Sequence, residues 1–279
     1  MQVGQPSHTA RSAAIHRAVH QVLEEGRIFA DPLAFRILGE EPGPLVREAE
    51  QDPPRRKMRF FIAARTRFAE DTLDAALATG VRQLVILGAG FDTFAYRRSL
   101  GSEQRVFEVD HPATQAWKQQ RLSDAIIPIP KSLIFAPIDF ERQTLAAGLA
   151  SAGFDRTKPA LFTWLGVVPY LTEDVIWSTL VWLASLPIGT QVVFDYGNPP
   201  ELLPPQAREL HDAHAERVAE LGEPWITFFE TDIVRAKLQR VGFSEIEDLG
   251  PREISERYFP NRTTASPEHG GHVVRAAKR

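Results

Sequence analysis

The sequence of 279 residues has no cysteine and only two methionines. Without a thiol the chain forms no disulfide, no thiolate metal site and no cysteine nucleophile, so packing alone must stabilise it. It also lacks any run approaching the roughly 20 apolar residues that cross a bilayer as a helix. Its first thirty residues carry several charges and no signal-peptide core. We therefore expect a cytoplasmic protein in a reducing compartment.

A strong imbalance of charge is missing as well. The formal net charge is −4 and the isoelectric point lies near 6.1, which gives no general attraction to nucleic acid or to an anionic membrane surface. We expect neither as a partner. Charged residues make up 24% of the chain, and its length is enough to bury a full core, so the sequence indicates a globular protein.

Apolar spacing predicts two helices before residue 80. The first covers residues 12–29 and is interrupted by Asp31 and Pro32, and the second covers residues 55–79 and stops at Gly80. Residues 40–54 contain four prolines, which predicts a loop between the two helices.

After Gly80, short apolar runs alternate with helical segments, a pattern typical of βαβ units and a parallel sheet. The predicted strands lie at residues 83–87, 105–109, 133–138, 160–165 and 191–195, with a final pair at 243–249 and 272–276. The predicted helices lie at residues 91–99, 113–122, 140–152, 172–186, 205–221 and 231–241.

Five strands of parallel type and a final pair match the sheet of a class I methyltransferase rather than a six-stranded NAD-binding sheet. The predicted fold is α/β and Rossmann-like: a seven-stranded, mostly parallel sheet with helices on both faces, an N-terminal helical cap and a helical lid after the fifth strand. We predict a single domain over residues 1–279. Its parts are the cap (1–80), a cofactor-binding core (81–198), the lid with the helix that follows it (199–241) and the final strand pair (242–279).

In "VILGAGFD", Gly88 and Gly90 follow the first predicted strand and open a helix, so the backbone can turn tightly and approach a ligand. The third glycine of the dinucleotide pattern G-x-G-x-x-G is replaced by Thr93. In dinucleotide enzymes that glycine lets the helix lie close to a pyrophosphate, whereas Asp92 and Thr93 suit helix caps and not a phosphate. Taken alone, the loop could equally be a tight turn without a ligand.

The second predicted strand, "RVFEVDHP", ends in Asp110, about 20 residues after Gly90, where a carboxylate can accept hydrogen bonds from both hydroxyls of a ribose. The third is followed by Asp139 and Phe140, which could receive the amino group of an adenine and cover its face. Capping the next helix is an equal alternative for Asp139. Together these residues predict a nucleoside site without a pyrophosphate cradle, which fits S-adenosylmethionine and does not fit NAD.

Several motifs in order resemble the leucine carboxyl methyltransferase family. They are "GRIFADPLA", "AARTRFAEDTL", "LVILGAGFDTFAYR", "VFEVDHP" with Lys118 downstream, "APIDF" and "RYFPNRT". That family includes enzymes that methylate the C-terminal leucine of a protein phosphatase and bacterial polyketide carboxyl methyltransferases. The resemblance runs from about Ser7 to the C-terminus and is specific for the family, though not for a substrate.

Position by position, the resemblance implies that Gly88 and Gly90 pass beneath the methionine moiety of the cofactor and that Asp110 holds its ribose. Asp139 and Phe140 then frame the adenine. The implied cofactor is S-adenosyl-L-methionine, and the implied product is S-adenosyl-L-homocysteine.

Two arginines are implied partners of the methionine carboxylate. Arg65, in "AARTR", suits this role because a guanidinium binds a carboxylate through two hydrogen bonds. Arg67 competes for the same role, and a plain surface position is the alternative for Arg65. Arg17, in "HRAVH", lies where the family carries a basic residue near the same carboxylate.

One position departs from the family. Many members carry an acidic residue after the fourth strand, in a pattern like "xxEGxxxYL", and this sequence has Leu165 there. Trp164 and Tyr170 could line an apolar acceptor pocket instead, although an aromatic at a strand end is often core. Tyr196 and Asn198, after the fifth strand, are further pocket candidates because ligands bind beyond the carboxyl ends of parallel strands.

His211 and His214 lie three residues apart in "RELHDAHAERV", on one face of the predicted lid helix. A metal pair is conceivable, but the sequence offers no third ligand in a recognisable pattern, and we expect no metal. Solvent-exposed or acceptor-facing histidines on a lid fit the pattern better.

The sequence therefore predicts an S-adenosylmethionine-dependent O-methyltransferase (EC 2.1.1.-) of secondary metabolism, acting on a carboxylate or hydroxyl of a small molecule or peptide. A carboxylate, with a pKa near ~4, needs no general base, whereas a phenol near ~10 does, and His111, His211 and His214 are the candidates. A non-catalytic binding protein of this fold and an NAD(P)-dependent oxidoreductase are the alternatives. The acceptor and the oligomeric state are left open.

Overall fold

The computed structural model describes residues 7–140, 142–260 and 266–279. The helices are α1 (His8–Leu23), α2 (Ala34–Leu38), α3 (Pro42–Gln51), α4 (Arg56–Ala78), α5 (Phe94–Arg97), α6 (Pro112–Asp124), α7 (Leu145–Ser151), α8 (Glu173–Ala184), α9 (Pro205–Glu220), α10 (Thr231–Val241) and α11 (Pro251–Tyr258). The strands are β1 (Gln83–Leu87), β2 (Arg105–Asp110), β3 (Leu133–Pro137), β4 (Ala160–Trp164), β5 (Gln191–Gly197), β6 (Glu245–Leu249) and β7 (Gly271–Ala277). The last three residues of the motif "RYFPNRT" lie outside the described residues.

The seven strands form one sheet in the order β3-β2-β1-β4-β5-β7-β6. The pairs β1–β2, β2–β3 and β4–β5 are parallel. Strand β7 runs antiparallel to both of its neighbours, β5 and β6. The predicted α/β fold with a seven-stranded, mostly parallel sheet is thereby confirmed.

The chain divides into two compact units. The first comprises Met1–Arg67 with Arg82–Phe154, and the second comprises Phe68–Val81 with Asp155–Arg279. The first unit contains β1 to β3, and the second contains β4 to β7. The division into cap, core, lid and strand pair stays a prediction.

Hydrophobic runs explain why the strands were predictable. All five residues of β1 and all five of β4 are buried, as expected for parallel strands covered on both faces. The edge strand β6, "EIEDL", carries charged side chains and is only half-buried over most of its length, which discourages pairing with another chain. Each predicted strand is confirmed, with its ends moved by at most two residues.

The predicted loop at residues 40–54 is wrong, because most of it forms α3. Pro42 and Pro44 lie in the first turn, where a helix has no hydrogen-bond acceptor for their missing N–H groups. Leu45 is buried and anchors the helix. Pro53 and Pro54 then follow its end, so the four prolines bracket a helix instead of preventing one.

Other helix boundaries also differ from the prediction. Helix α1 stops at Leu23 instead of residue 29, because Glu25 and Gly26 adopt left-handed backbone angles. Helix α7 starts at Leu145 instead of residue 140, with the Thr144 side chain accepting a hydrogen bond from its first turn. The sequence interpretation placed no element at α2 or α11.

The first unit has a hydrophobic core that joins α1, α2 and α3 to α6 and to the loop after β1. Its buried members are Ala14, Ala18, Val19, Ala34, Ile37, Leu38, Leu45, Phe91, Leu122 and Ile127. Phe91 belongs to the glycine loop and packs edge-on against Trp117 with ring centres 4.6 Å apart. The N-terminal helices therefore pack directly on the loop that carries the candidate site.

Candidate functional site

The glycine loop joins β1 to α5. Gly88 and Gly90 have φ angles of +65° and +39°, in the region that favours glycine. A Cβ on Gly90 would lie 3.1 Å from the Cβ of Ala10 on α1. The positive φ angles therefore favour glycine at both positions. At Gly90, the nearby Ala10 side chain also leaves no room for a larger residue.

Asp110 ends β2 beside this loop. Its Oδ2 accepts a hydrogen bond from the Gly90 N–H at 2.6 Å, and its Oδ1 accepts one from the His111 N–H at 2.7 Å. Burial raises the pKa of Asp110, although these two backbone hydrogen bonds act to lower it. Each carboxylate oxygen can accept a further hydrogen bond. Gly90 and Asp110, which the sequence named separately, are therefore in direct contact, and the remaining acceptor capacity of Asp110 fits two ribose hydroxyls.

Asp139 lies at the neighbouring strand end. The Ile138 N–H donates to the backbone oxygen of Asp110 at 2.9 Å, which places Asp139 just beyond the β2–β3 pairing. The Asp139 carboxylate lies 3.3 Å from Nε of Arg142. It does not cap α7, because Thr144 does. The helix-cap alternative for Asp139 is therefore wrong.

Phe140 follows Asp139 and is 60% exposed, which is unusual for a large apolar side chain at the end of a buried strand. It lies before α7 and not within a helix. An exposed aromatic face suits a flat ligand, which is the role that the sequence suggested.

Thr93 replaces the third glycine and forms part of a buried cluster. Its Oγ1 donates to Oδ2 of Asp31 at 2.7 Å. Asp31 is fully buried and lies 3.2 Å from Nε of Arg17 and 3.4 Å from Nε of Arg97. Arg17 also donates from Nη2 to the carbonyl of Phe91 at 2.8 Å. This cluster ties the glycine loop to α1 and to the segment that follows α1.

The expectation that both polar residues after Gly90 cap a helix is half right. Oδ1 of Asp92 accepts a hydrogen bond from the Phe94 N–H at 2.8 Å. The Thr93 side chain makes no such bond, because its hydroxyl is used by Asp31. Sequence reasoning missed Asp31 and noticed it only as part of the Asp31–Pro32 break.

The two competing arginines differ in burial. Arg65 on α4 is 8% exposed, with its guanidinium 5.6 Å from the centre of the Phe61 ring. Arg67 is exposed. The surface alternative for Arg65 is therefore wrong, and burial favours it over Arg67. The roles of Arg65 and Arg17 toward a cofactor stay predictions.

A buried ion pair involves Glu108, two residues before Asp110 on β2. Lys118 of α6 is 1% exposed, and its Nζ lies 2.8 Å from Oε2 of the fully buried Glu108. The Tyr96 hydroxyl donates to the same oxygen at 3.1 Å. Burial raises the pKa of Glu108 to about 7, although Lys118 acts to lower it. Of these residues, only Lys118 was noted from the sequence, as part of the family resemblance.

Two of the predicted pocket residues lie in the core of the second unit. Trp164 is 4% exposed, and its ring lies 6.5 Å from that of Phe194. Tyr196 is buried, donates its hydroxyl to Oδ2 of Asp248 at 2.6 Å, and stacks on the His272 ring at 4.8 Å. The core alternative therefore describes Trp164 and Tyr196 better than a pocket does.

Asn198 is also buried and contacts His272, the residue on which Tyr196 stacks. Its Oδ1 accepts from the Gly270 N–H at 2.9 Å and lies 2.9 Å from Nε2 of His272. Its amide nitrogen donates to the carbonyl of Phe229 at 3.1 Å. Asn198 therefore holds the chain together after β5, with both its amide oxygen and its amide nitrogen bonded within the chain.

Leu165 directly precedes a tight turn at Gly166. Gly166 has a φ of +70°, and its N–H donates to Oδ1 of the buried Asp195 at 2.5 Å. A carboxylate therefore lies at this strand end, although it comes from β5 and not from the family position. Tyr170 is half-buried in the short 3-10 helix Val168–Tyr170.

The two histidines of α9 pack against aromatic side chains of the segment that follows α9. His211 and His214 both contact Trp225, and His211 also contacts Phe228. Trp225 and Phe228 were not singled out from the sequence, because they lie in a segment without regular structure. Across the described part of the chain, no group of three or more His, Cys, Asp or Glu side chains is placed to hold a metal ion.

In the same described ranges, no helix combines the length and the apolar character that crossing a bilayer requires.

The strand order, with an antiparallel β7 between β5 and β6, is that of the class I methyltransferase fold. The same fold occurs in a crystal structure of a Thermobifida fusca protein classed as a methyltransferase, which has a TM-score of 0.60, 14% identity and coverage of 100% of this chain and 97% of its own.

The model of the leucine carboxyl methyltransferase family matches residues 10–184, more than half of the chain. The chain belongs to that family. YktD of Bacillus subtilis, classed with S-adenosyl-L-methionine-dependent methyltransferases, is 31% identical over 94% of both chains. A protein of Frankia alni, classed in the same way, is 33% identical over 64% of both chains. The family resemblance inferred from the motifs is confirmed.

Proposed function

We propose that this enzyme transfers the methyl group of S-adenosylmethionine to an oxygen, either a carboxylate or a hydroxyl, of a small molecule or peptide in secondary metabolism. The observation that carries the proposal is the contact between the Gly90 N–H and the Asp110 carboxylate at the end of β2. A buried carboxylate beside two glycines suits a nucleoside, and Thr93 in place of the third glycine disfavours a pyrophosphate.

The residues that would hold the cofactor lie in the first unit. Asp110 would accept hydrogen bonds from the ribose hydroxyls, and Asp139 with Phe140 would frame the adenine. Gly88 and Gly90 would pass beneath the methionine moiety. When bound, S-adenosylmethionine supplies a methyl group on a sulfonium sulfur.

Two arginines complete this proposal. The buried Arg65 would bind the methionine carboxylate. Arg17 would act on the same end of the site by holding the glycine loop, because it donates a hydrogen bond to the carbonyl of Phe91.

Oxygen as the accepting atom is supported by what the reaction requires. A direct displacement at a methyl carbon depends above all on alignment, which can be worth roughly 7–11 kcal/mol. A carboxylate is ionised at neutral pH and needs only to be held in place. A hydroxyl acceptor needs a base as well, and the second unit offers one in His211. A cytoplasmic location belongs to this proposal and is supported by the lack of cysteine.

Isothermal titration calorimetry with S-adenosylhomocysteine tests the cofactor assignment. Asp110→Ala removes hydrogen bonds to two hydroxyls, and we expect a loss of about 3 kcal/mol, or roughly a hundredfold in Kd. Asp124→Ala, at the exposed end of α6, is the matched control and should bind like the wild type.

Tighter binding of NAD than of S-adenosylhomocysteine would contradict the proposal. Equal binding by Asp110→Ala and the wild type would remove its main support. Cofactor binding without methyl transfer to any of a broad set of carboxylates and phenols would favour the non-catalytic alternative that Leu165 raises.

A further inference from the structure

Four rings form one cluster in the second unit, which we call the lid cluster: His211, His214, Trp225 and Phe228. The His211 ring lies 5.4 Å from the rings of both Trp225 and Phe228, and the His214 ring lies 5.0 Å from that of Trp225. Trp225 and Phe228 are only half-buried. Of these four residues, only His211 has a role in the proposed reaction, as the base for a hydroxyl acceptor.

The lid cluster lies beyond the carboxyl ends of β4 and β5. The Ile226 N–H donates to the carbonyl of Pro169 at 2.8 Å, just after β4. The Phe229 N–H donates to the carbonyl of Gly197 at 2.9 Å, at the end of β5. Parallel α/β sheets bind their ligands at this end of the strands.

His211 presents a specific hydrogen-bonding atom within the cluster. Its Nδ1 lies 3.0 Å from Oδ1 of Asp212. A carboxylate can only accept, so this contact places the ring proton on Nδ1 and leaves Nε2 as an acceptor in the neutral ring. Nε2 is buried and has no hydrogen-bond partner among the described residues. A buried acceptor without a partner in the chain is free to accept a hydrogen bond from a ligand or from an ordered water.

We propose that the lid cluster binds the methyl acceptor, and that this acceptor is a planar aromatic molecule whose hydroxyl donates a hydrogen bond to Nε2 of His211. The inference rests on the proposed function, since it names the acceptor class of that reaction. As the acceptor oxygen forms its bond to the methyl carbon, the carbon–sulfur bond breaks and its electron pair stays on sulfur. The hydroxyl proton passes to Nε2.

The chemistry of the cluster favours this class over a free carboxylate. A carboxylate has no proton to donate to Nε2, and it would meet the negative charge of Asp212. A phenol has the donor and, with a pKa near ~10, requires the base that Nε2 supplies. Flat rings also pack well against the half-buried Trp225 and Phe228.

The test compares two probes that differ in one group, 2-naphthol and 2-methylnaphthalene, by titration followed with nitrogen-15 spectra of histidine-labelled protein. We expect 2-naphthol to bind about tenfold more tightly and to shift the Nε2 resonance of His211. His211→Phe keeps the ring and removes the acceptor, so it should bind both probes equally. Glu216→Gln, on an exposed position of α9 outside the cluster, should keep the tenfold preference.

Equal affinity of the wild type for the two probes would overturn the inference, as would binding of the saturated decahydro-2-naphthol as tight as that of 2-naphthol. This comparison within the wild type holds even if His211→Phe does not fold. Calorimetry with S-adenosylhomocysteine on the same samples separates the two proposals. If that ligand does not bind, the proposed function fails; if it binds and 2-naphthol shows no preference, only the acceptor class fails.

Discussion

At the scale of single residues, the ion pair between Lys118 and Glu108 shows how the sheet tolerates buried charge on β2, the strand that ends in Asp110. The pair is almost completely buried, with 2.8 Å between Nζ and Oε2. A charge in such a place is kept only when its partner and further hydrogen bonds offset the cost of removing it from water. Here the Tyr96 hydroxyl supplies one such bond.

The pair predicts a particular pH dependence. Burial raises the folded-state pKa of Glu108 from 4.5 to about 7, so the stabilising contribution of this carboxyl is full below about pH 4.5 and is lost as the pH rises through 7. Lys118→Met should cost about 3 kcal/mol at pH 8, because it leaves Glu108 charged and unpaired. The cost should be smaller near pH 6, where the carboxyl takes up a proton. Urea unfolding at both pH values measures it.

Lys131→Met is the matched control, since Lys131 is exposed in the same unit; we expect a change within about 0.5 kcal/mol at both pH values. A penalty for Lys118→Met that stays constant from pH 6 to pH 9 would show that Glu108 does not titrate in this range.

At the scale of elements, Asp31 connects the segment after α1 to the glycine loop. It is bound by Thr93 and lies between Arg17 and Arg97. Because the third glycine of a dinucleotide loop is absent, a hydroxyl is available at this position. The glycine loop is thereby held by residues of α1 and of the segment that follows it.

We predict that Asp31→Asn lowers the free energy of unfolding by about 3 kcal/mol, because two buried cations lose their counter-charge. Thr93→Val should cost about 1 kcal/mol, since it removes one hydrogen bond, whereas Thr93→Ser keeps the hydroxyl and should cost less. Chemical unfolding of the three variants gives the values. An Asp31→Asn variant as stable as the wild type would mean that solvent replaces the lost carboxylate charge.

Elements differ in how well the sequence predicts them. Strands β1 and β4 are mostly apolar and fully buried, and could be placed to within one residue. Helix α3 could not, because four prolines within fifteen residues indicate a loop, although two of them lie in the first turn of the helix and two follow its end. Helix α11 had a usable signal that was overlooked: Pro251 at its first position and Glu253, whose side chain accepts from the Gly250 N–H at 3.0 Å.

At the scale of the whole molecule, a ligand that binds only the folded chain must raise its stability. At a concentration of 100 times its Kd, S-adenosylhomocysteine should add about 2.7 kcal/mol, which corresponds to roughly 5 °C in Tm for a chain of this length. Differential scanning calorimetry measures the shift. Asp110→Ala should show little shift at the same concentration, and a shift of the wild type by NAD as large as that by S-adenosylhomocysteine would contradict the cofactor assignment.

The sequence by itself determined the class of the protein and the first half of its candidate site. Gly88, Gly90 and Asp110 could be found because strand periodicity places them at strand ends, and their family could be found because the motifs occur in a fixed order. Only the tertiary structure decided which of the polar and aromatic side chains make their contacts within the protein. It placed Trp164 and Tyr196 in the core, gave Thr93 to Asp31, and joined His211 to Trp225 and Phe228. Those contacts depend on how distant segments pack, which local spacing does not encode.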